Sequence, residues 1–518
     1  MITTLRNTLL RHLGILLLSI AMMPTVKASE PVKREMRGVW IATIYGLDWP
    51  ATTGTDNATA DAQRQSLCLL LDRMKSAGLN AVMFQVRTFS DAMYRSSLEP
   101  WASALTGRRG ASPAGNWDPL AFCIDECHKR GIECHAWVNP FRYSTSTKPY
   151  TDKFDASLRP MLITYTTRPK NKRERPRTTV ILDPGNPRAR QHVVDVCRDI
   201  VTRYDIDGLI FDDYFYPDRL PLGDGYDYNE WKKSKSPLSQ ADWRRDNVNR
   251  TVKAVSDMLK TVKPDIPFGI SPAGVAGGNG VASSRYGLDP CPGNDWMYDR
   301  IYCDPLAWMA DGLIDYISPQ IYWAQDHATN PYGPIALWWS NAATHFGRYF
   351  FASHTLSDMT KAKGDTPAAW KERGAQIDIN RMHAGNSTPG SIHYAARNIH
   401  GFAQYLVDNN YHTPALPPCY DWKESHNPGP VTGLKADGRH LTWEPVNDRC
   451  RYAVYAIPRD VDLMEAMSVT YGGLSADYLL GISYTTSYTI PTDKSKGYRY
   501  AVAPLDRNGH EWDTVTTD

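Results

Sequence analysis

The 518-residue chain carries 58 Lys and Arg against 56 Asp and Glu, a formal net charge of +2, and is 42% hydrophobic. That length accommodates one large domain and a smaller one. The near-balance of charge lacks the polycationic footprint that nucleic acid or an anionic membrane surface demands, so neither is an expected partner.

In chain order, residues 1–28 place Arg6 and Arg11 before the apolar run Leu13 to Met23 and end on Val26-Lys27-Ala28. This is the pattern of a cleaved secretory signal, too short for a membrane span. Cleavage after Ala28 and a periplasmic or secreted location are expected, with no membrane span in the mature chain. Loss of Arg6, Arg11 and Lys27 leaves 55 basic against 56 acidic residues.

From residue 37 apolar strand-like runs alternate with amphipathic helical segments. Val39 to Ile44 predicts a strand, Ala62 to Ala77 a helix stopped by Gly78, and Asn80 to Val86 a second strand. Pro119 to Arg130 predicts a helix stopped by Gly131, followed by strand Glu133 to Val138. Helix Arg188 to Tyr204 feeds strand Gly208 to Phe211, and helix Ala241 to Val262 feeds Phe268 to Ser271. Tyr316 to Ser318 with Ile321, Tyr349 to Ser353 and Ser391 to Tyr394 complete eight strands. Such alternation predicts an α/β fold, a (β/α)8 TIM-type barrel over residues 34–420. After the break at His426-Asn427-Pro428-Gly429-Pro430, short strands with turn signals at Asp437-Gly438 and Asn508-Gly509 predict a small β-sandwich over 428–518. Leu441-Thr-Trp-Glu-Pro445 and Tyr498-Arg-Tyr-Ala-Val502 resemble fibronectin type III strands.

Asp207-Gly208-Leu209-Ile210-Phe211-Asp212-Asp213-Tyr214 ends a buried strand abruptly in two carboxylates. The C-terminal strand ends are where such a barrel keeps its chemistry. Side chains alternate across a strand, so Asp212 and Asp213 diverge; one is expected to be catalytic and the other supporting. Asp91, Asp48 and Asp326 are the candidates for a second acid.

Other strand ends supply polar and aromatic groups. Gln85 and Arg87 share a strand face; Asn139 and Arg142 follow the third strand; Gln320, Tyr322 and Trp323 follow the sixth. With Tyr214, these are expected to bind hydroxyls or stack on sugar rings. The loops 45–61, 87–117, 139–180, 214–240 and 272–300 are long enough to build a site. Trp49, Trp101, Trp117 and Trp323 in or near them are expected to present flat faces to a glycan, whereas Trp137 and Trp338 are expected to fill the core. His135 and Asp183 are expected to be structural, with Asn186 capping and Pro187 opening a helix. The basic run Lys170 to Arg177 reads as a solvated insertion.

The nine Cys are expected to be mostly small buried residues, with a Cys291–Cys303 bridge as one option. Phosphate loops, nucleophile elbows and clustered Cys/His ligand sets are missing from the sequence pattern. Chemistry is therefore expected to rest on carboxylates, without cofactor or metal, which disfavours a metal-dependent deacetylase.

Taken together, Arg37-Gly-Val-Trp40, Asp48-Trp-Pro50, Gln85-Val-Arg87, His135-Ala-Trp-Val-Asn-Pro140, Asp212-Asp-Tyr214 and Pro319-Gln-Ile-Tyr-Trp323 resemble the glycosyl hydrolase-like 10 family. The resemblance implies a (β/α)8 barrel that hydrolyses glycosidic bonds in bacterial cell-envelope glycans, including peptidoglycan strands stripped of peptides. Asp207 to Asp212 also resembles the chitinase-type DGxDxDxE motif, but Ile210 replaces its first inner Asp and Tyr214 its catalytic Glu. The expected function is an exported glycoside hydrolase acting on a glycan; the alternative is a glycan-binding envelope protein without turnover.

Overall fold

The computed structural model describes residues 31–517 except 147, 149, 151–152, 167–175, 219, 224, 295–296, 357–364, 448 and 471. The expected signal segment and most of the basic run lie outside the described residues.

Eight passages of chain form one parallel barrel: β1 (Met36–Ile41), β2 (Ala81–Arg87), β3 (Glu133–Val138), β4 (Gly208–Phe211), β5 (Phe268–Ile270), β6 (Tyr316–Ile317), β7 (Tyr349–Phe350 continuing as Ala352–Thr355) and β8 (Gly390–Tyr394). Neighbours pair in sequence order, and β8 returns to β1 with Met36 opposite Gly390. The first half of β7 pairs with β6 and the second half with β8, which closes the barrel as the sequence predicts. Strands β1 to β4 are buried along their whole length, as a parallel sheet covered on both faces requires.

Alternation divides the strand residues. Met36, Trp40, Met83, Trp137, Ile210 and Ile392 form a core inside the barrel. Val39, Val82, Ala136, Leu209 and Phe211 face outward into the cluster shared with the helices. Gly208 and Gly269 are required by this inner packing, because a Cβ would lie 2.2 Å from the His135 ring and 2.1 Å from the Tyr316 ring. The covering helices start on side-chain caps, Asp56 before Asn57–Ser76, Asp118 before Pro119–Lys129 and Asn186 before Pro187–Arg203. Gly78 and Gly131 end the first two in the left-handed region at φ 74° and 66°.

The segment 139–180, expected as a loop, folds in part into a three-stranded antiparallel sheet of Arg142–Ser144, Thr178–Leu182 and Leu162–Thr166. Its pairing partner is distant in sequence, which strand periodicity alone does not reveal.

Residues 432–516 form two antiparallel sheets of three and four strands. Leu441 and Trp443 from one sheet meet Tyr452, Val454 and Val502 from the other in a common core. Strands Leu479–Ser483 and Val515–Thr516 were not among those expected. This sandwich sits against the N-terminal ends of β3 and β4. Tyr484 stacks on His128 with ring centroids 3.9 Å apart, Arg451 is ion-paired with Glu133, and Arg507 lies 2.6 Å from Asp205. The opposite, C-terminal mouth is left open.

All nine cysteines are free thiols, so the bridge considered between Cys291 and Cys303 is not formed.

Candidate active site

Asp212 continues the inward set of β4. It is only 3% exposed. Trp137 Nε1 donates to its Oδ2 at 3.0 Å and Asn139 Nδ2 to its Oδ1 at 2.8 Å. Asn139 is itself aligned, because its Oδ1 accepts from the backbone N–H groups of Phe141 and Arg142 at 3.3 and 2.7 Å. Burial raises the Asp212 carboxyl above its usual range, while the Arg142 charge and the two donors pull the other way.

Asp213 has a different environment. Burial, and then the negative charge of Asp212, push its carboxyl up to about 7, while Gln320 hydrogen-bonds it in opposition. Its Oδ1 is enclosed and has no hydrogen-bond partner. Two adjacent carboxyls are thereby separated into one with fixed donors and one that holds a proton near neutrality.

The mouth of the barrel contains a cavity of about 240 Å³ lined by Trp40, Tyr45, Gln85, Trp137, Arg142, Asp212, Tyr214, Gln320, Tyr322 and Tyr394, among others. Gln85 Oε1 accepts from the N–H groups of Thr43 and Ile44 at 3.0 and 2.9 Å, which holds the loop after β1. Trp40 Nε1 donates to Ser353 Oγ at 2.9 Å, and the Tyr322 hydroxyl lies 3.3 Å from the same oxygen. Tyr322 and Tyr394 stack with centroids 5.8 Å apart, and the Arg142 guanidinium lies 4.1 Å above the Tyr214 ring.

Two further depressions extend the cavity. One of about 690 Å³ shares Ile44, Tyr45, Arg142 and Tyr214 and adds Phe89, Thr145 and Arg177; another of about 470 Å³ shares Tyr45 and Phe89 and adds Pro50 and Ser103. Tyr45 borders all three, is 67% exposed, and is held at φ 55°. The result is an elongated groove with Asp212 at one end, the shape a polymer occupies; Asp213 is outside the lining.

Several expected site residues are placed elsewhere. Asp91 is buried in its own loop, accepting from Thr88 Oγ1 at 2.8 Å and Phe89 N at 2.9 Å, with Arg109 3.7 Å away. It braces a turn and does not line the cavity. Asp48 accepts from Ala42 N and Arg397 N at 2.7 and 3.0 Å, fixing the loop after β1. Asp326 is exposed and outside the cavity lining. Arg87 is buried against Glu99 at 2.5 Å and donates to the Asn139 carbonyl, so it supports the site from behind. Although burial pushes Glu99 up, Arg87 and His192 hold it down to about 2.

The aromatic expectations are also redistributed. Trp49 is 1% exposed, donates to the Gln63 carbonyl at 3.1 Å and packs on Trp117, which donates to Gln63 Oε1 at 2.8 Å. Trp101 packs on the same core, and Trp323 supports the wall beside Gly274. Trp137 fills the core as expected and also lines the cavity, together with Trp40, Tyr45 and Tyr394, which the sequence reading does not single out as site residues. Even spacing along the strands was available as the signal, since Trp40 shares the inward parity of Met36 and Trp137 that of His135. Asn139 positions Asp212, while Gln85, Arg142, Tyr214, Gln320 and Tyr322 line the cavity as expected. His135 is buried on Glu133 at 3.0 Å, and Asn186 caps its helix.

Among the described residues the fold brings together two groupings of metal-type ligands that the sequence pattern did not show: Cys123, Cys127 and Cys134, and Cys419, Asp421 and His510. Neither borders the cavity. Burial pushes the Cys123 and Cys127 thiols well above their usual value, which favours the protonated over the metal-binding form.

A closed parallel barrel with a split carboxyl pair at the β4 end and an aromatic groove defines a barrel-type glycoside hydrolase. The chain belongs to the glycosyl hydrolase-like 10 family, whose profile matches residues 35–350. It is 36% identical to the glycosyl hydrolase DigH of Escherichia coli O6:H1 over 382 residues, covering 69% of this chain and 81% of that one. It is 32% identical to the glycosyl hydrolase YngK of Bacillus subtilis over 429 residues, covering 80% of this chain and 79% of that one.

Proposed function

We propose that this protein is an exported glycoside hydrolase that cuts within a bacterial cell-envelope glycan, with peptide-free peptidoglycan strands as the leading candidate. The observation that carries this reading is the carboxyl pair at the β4 end: Asp212 lines the cavity, and Asp213, the next residue, has an enclosed Oδ1 without a partner and a carboxyl pushed up to about 7, chiefly by burial. A carboxylic acid in that state can protonate a departing glycosidic oxygen at neutral pH, worth typically 10²–10⁴-fold in rate. Asp212 supplies the fixed negative charge next to it. Trp40, Trp137, Tyr322 and Tyr394 surround one sugar ring, and Tyr45, Phe89 and Arg177 accommodate the chain beyond it. Support for hydrolysis comes from the family and from both relatives' names. The sandwich over 428–518 is read as a fibronectin type III-like accessory domain that braces the closed end of the barrel.

The test is to incubate the mature protein with peptide-free glycan strands and measure new reducing ends. Wild type should release them, and Asp212→Asn and Asp213→Asn should each lose at least about 100-fold. Full activity in both variants would refute the assignment.

A further inference from the structure

At the N-terminal end of the barrel, on the far side from Asp212, two segments distant in sequence converge. One is Cys419-Tyr420-Asp421, where the chain leaves the barrel; the other is the turn from Asp506 to His510 in the sandwich. Tyr420 packs into the barrel interior beside Tyr349. Its neighbours turn the other way, and Cys419 Sγ donates to Asp421 Oδ1 at 3.0 Å. His510 Nε2 lies 3.3 Å from the same oxygen. Thiol, carboxylate and imidazole thereby offer atoms that all lie within 4.8 Å of one another.

The approach is fixed by the backbone. Gly509, at φ 89°, comes so close that a Cβ there would lie 2.6 Å from the Pro418 carbonyl and 3.2 Å from the Cys419 Cα. The Tyr420 N–H donates to the Asn508 carbonyl at 2.9 Å, and Asn508 Nδ2 to the Glu424 carbonyl at 2.6 Å. The imidazole is also oriented from behind, with Nδ1 3.2 Å from Asp506 Oδ2. Asp506 is held in turn by the N–H groups of Asn508 and His510 at 2.9 and 3.0 Å and by Trp512 Nε1 at 3.3 Å. A carboxylate on Nδ1 is the usual partner of a metal-binding histidine, because it leaves the Nε2 lone pair as the ligand. That lone pair points at the Asp421 carboxylate, and a cation between the two electron-rich groups would join them.

Zinc bonds of about 2.0–2.3 Å put ligand atoms roughly 3.3–3.6 Å apart at tetrahedral angles, against the 3.0 and 3.3 Å of the two contacts to Asp421. Asp421 is exposed and has room to yield the difference. The three groups also border a cavity of about 540 Å³, lined in addition by Arg34, Tyr349, Pro389 and Trp512, through which an ion can enter. Cys123, Cys127 and Cys134, by contrast, are sealed in the core. Burial pushes the Cys419 thiol up as well, but Arg34 draws it down, and the part added by Asp421 ends once an ion neutralises that carboxylate.

We infer that Cys419, Asp421 and His510 bind one borderline-soft divalent ion such as Zn²⁺, with the fourth position open to the cavity. Binding forms bonds to the thiolate, a carboxylate oxygen and the imidazole Nε2, and the Cys419 proton leaves to solvent. The ion ties the segment leaving the barrel to the sandwich. It takes no part in the chemistry at Asp212, and the inference is independent of the hydrolase reading.

The mature chain, stripped with a chelator and dialysed, is titrated with Zn²⁺ by calorimetry and with Co²⁺ by absorption. Wild type should bind one Zn²⁺ with a Kd in the micromolar range or below, and Co²⁺ should give a sulfur-to-metal charge-transfer band. Cys419→Ser, Asp421→Asn and His510→Ala should each weaken Zn²⁺ binding at least about 10-fold, and Cys419→Ser should remove the band. Absence of binding at that affinity in wild type, a smaller loss in any of the three variants, or a band that survives in Cys419→Ser overturns the inference. Zn²⁺ should also raise the Tm of wild type more than that of Asp421→Asn; an equal rise overturns the tie between domains. Circular dichroism checks the fold of each variant. Because its side chain is exposed, Asp421→Asn decides by itself should Cys419→Ser or His510→Ala misfold.

Discussion

The indole N–H of Trp137 donates to Asp212 across 3.0 Å, joining the interior of β3 to the end of β4. A side chain that fills the barrel thereby also fixes the orientation of the carboxylate at its mouth. With Asn139 on the other oxygen, Asp212 has one available geometry. Trp137→Phe keeps most of the packing and removes the donor. Loss of a buried hydrogen bond to a charged group is worth about 1.5–3 kcal/mol, so Tm should fall, and kcat/KM should fall roughly 10- to 100-fold at temperatures where the variant remains folded. An unchanged kcat/KM would show that Trp137 does not position Asp212.

Activity should fall as pH rises through about 7, because the acid form of Asp213 is lost there. Burial, and then the Asp212 charge, raise that value, while Gln320 and Arg142 act in the other direction. Asp213→Asn should abolish this limb in whatever residual rate survives. A profile flat from pH 6 to 8.5 would contradict the assignment.

The same shift affects stability with a definite sign. Asp213 has a folded value of about 7 against an ordinary 3.8, so the native state binds more protons than the unfolded state between those limits. Its contribution to stability is therefore lost as pH rises from about 4 to 7. Asp213→Asn should raise Tm relative to wild type at pH 8 and leave it nearly level at pH 4. Differential scanning calorimetry at the two pH values reads this directly, and an equal ΔTm at both would refute it.

Tyr45→Ala should raise KM roughly 2- to 10-fold, the value of one aromatic contact, with kcat less affected. Trp49→Phe should leave KM alone and cost about 1 kcal/mol of stability, because its N–H holds the Gln63 carbonyl in the core. Kinetics on long glycan strands beside thermal melts separates the two; a KM effect at Trp49 would restore it to the groove.

Arg451→Ala should destabilise by about 3–5 kcal/mol, since Glu133 and Asp207 would remain buried with one fewer cation. The loss should appear as a lower melting temperature while kcat stays near wild type, because this cluster lies at the end of the barrel opposite Asp212. A selective loss of activity at constant Tm would count against a purely bracing role for the sandwich.

The eight-stranded order was legible because strand and helix periodicities alternate with Gly and Pro at the joints, and observed strands such as Glu133–Val138 and Gly208–Phe211 match the expected bounds. Asp212-Asp213 was legible because a charged pair directly after an apolar strand is conspicuous. The antiparallel sheet over 142–182 was not, since its pairing joins residues from 12 (Thr166 and Thr178) to 39 (Arg142 and Ile181) positions apart.

The sequence by itself determined the barrel, the second domain and the strand end that bears the carboxylates, because these follow from local periodicity and chain order. Only the tertiary structure decided which polar groups share one cavity. Asp91 and Arg87 both stand near a strand end in sequence, yet each is buried among partners of its own, and Trp49 is in the core while Trp137 both fills the core and lines the cavity. Direction at a strand end depends on barrel curvature, loop closure and the partners that satisfy each buried polar atom, and those are set by residues far away in the chain.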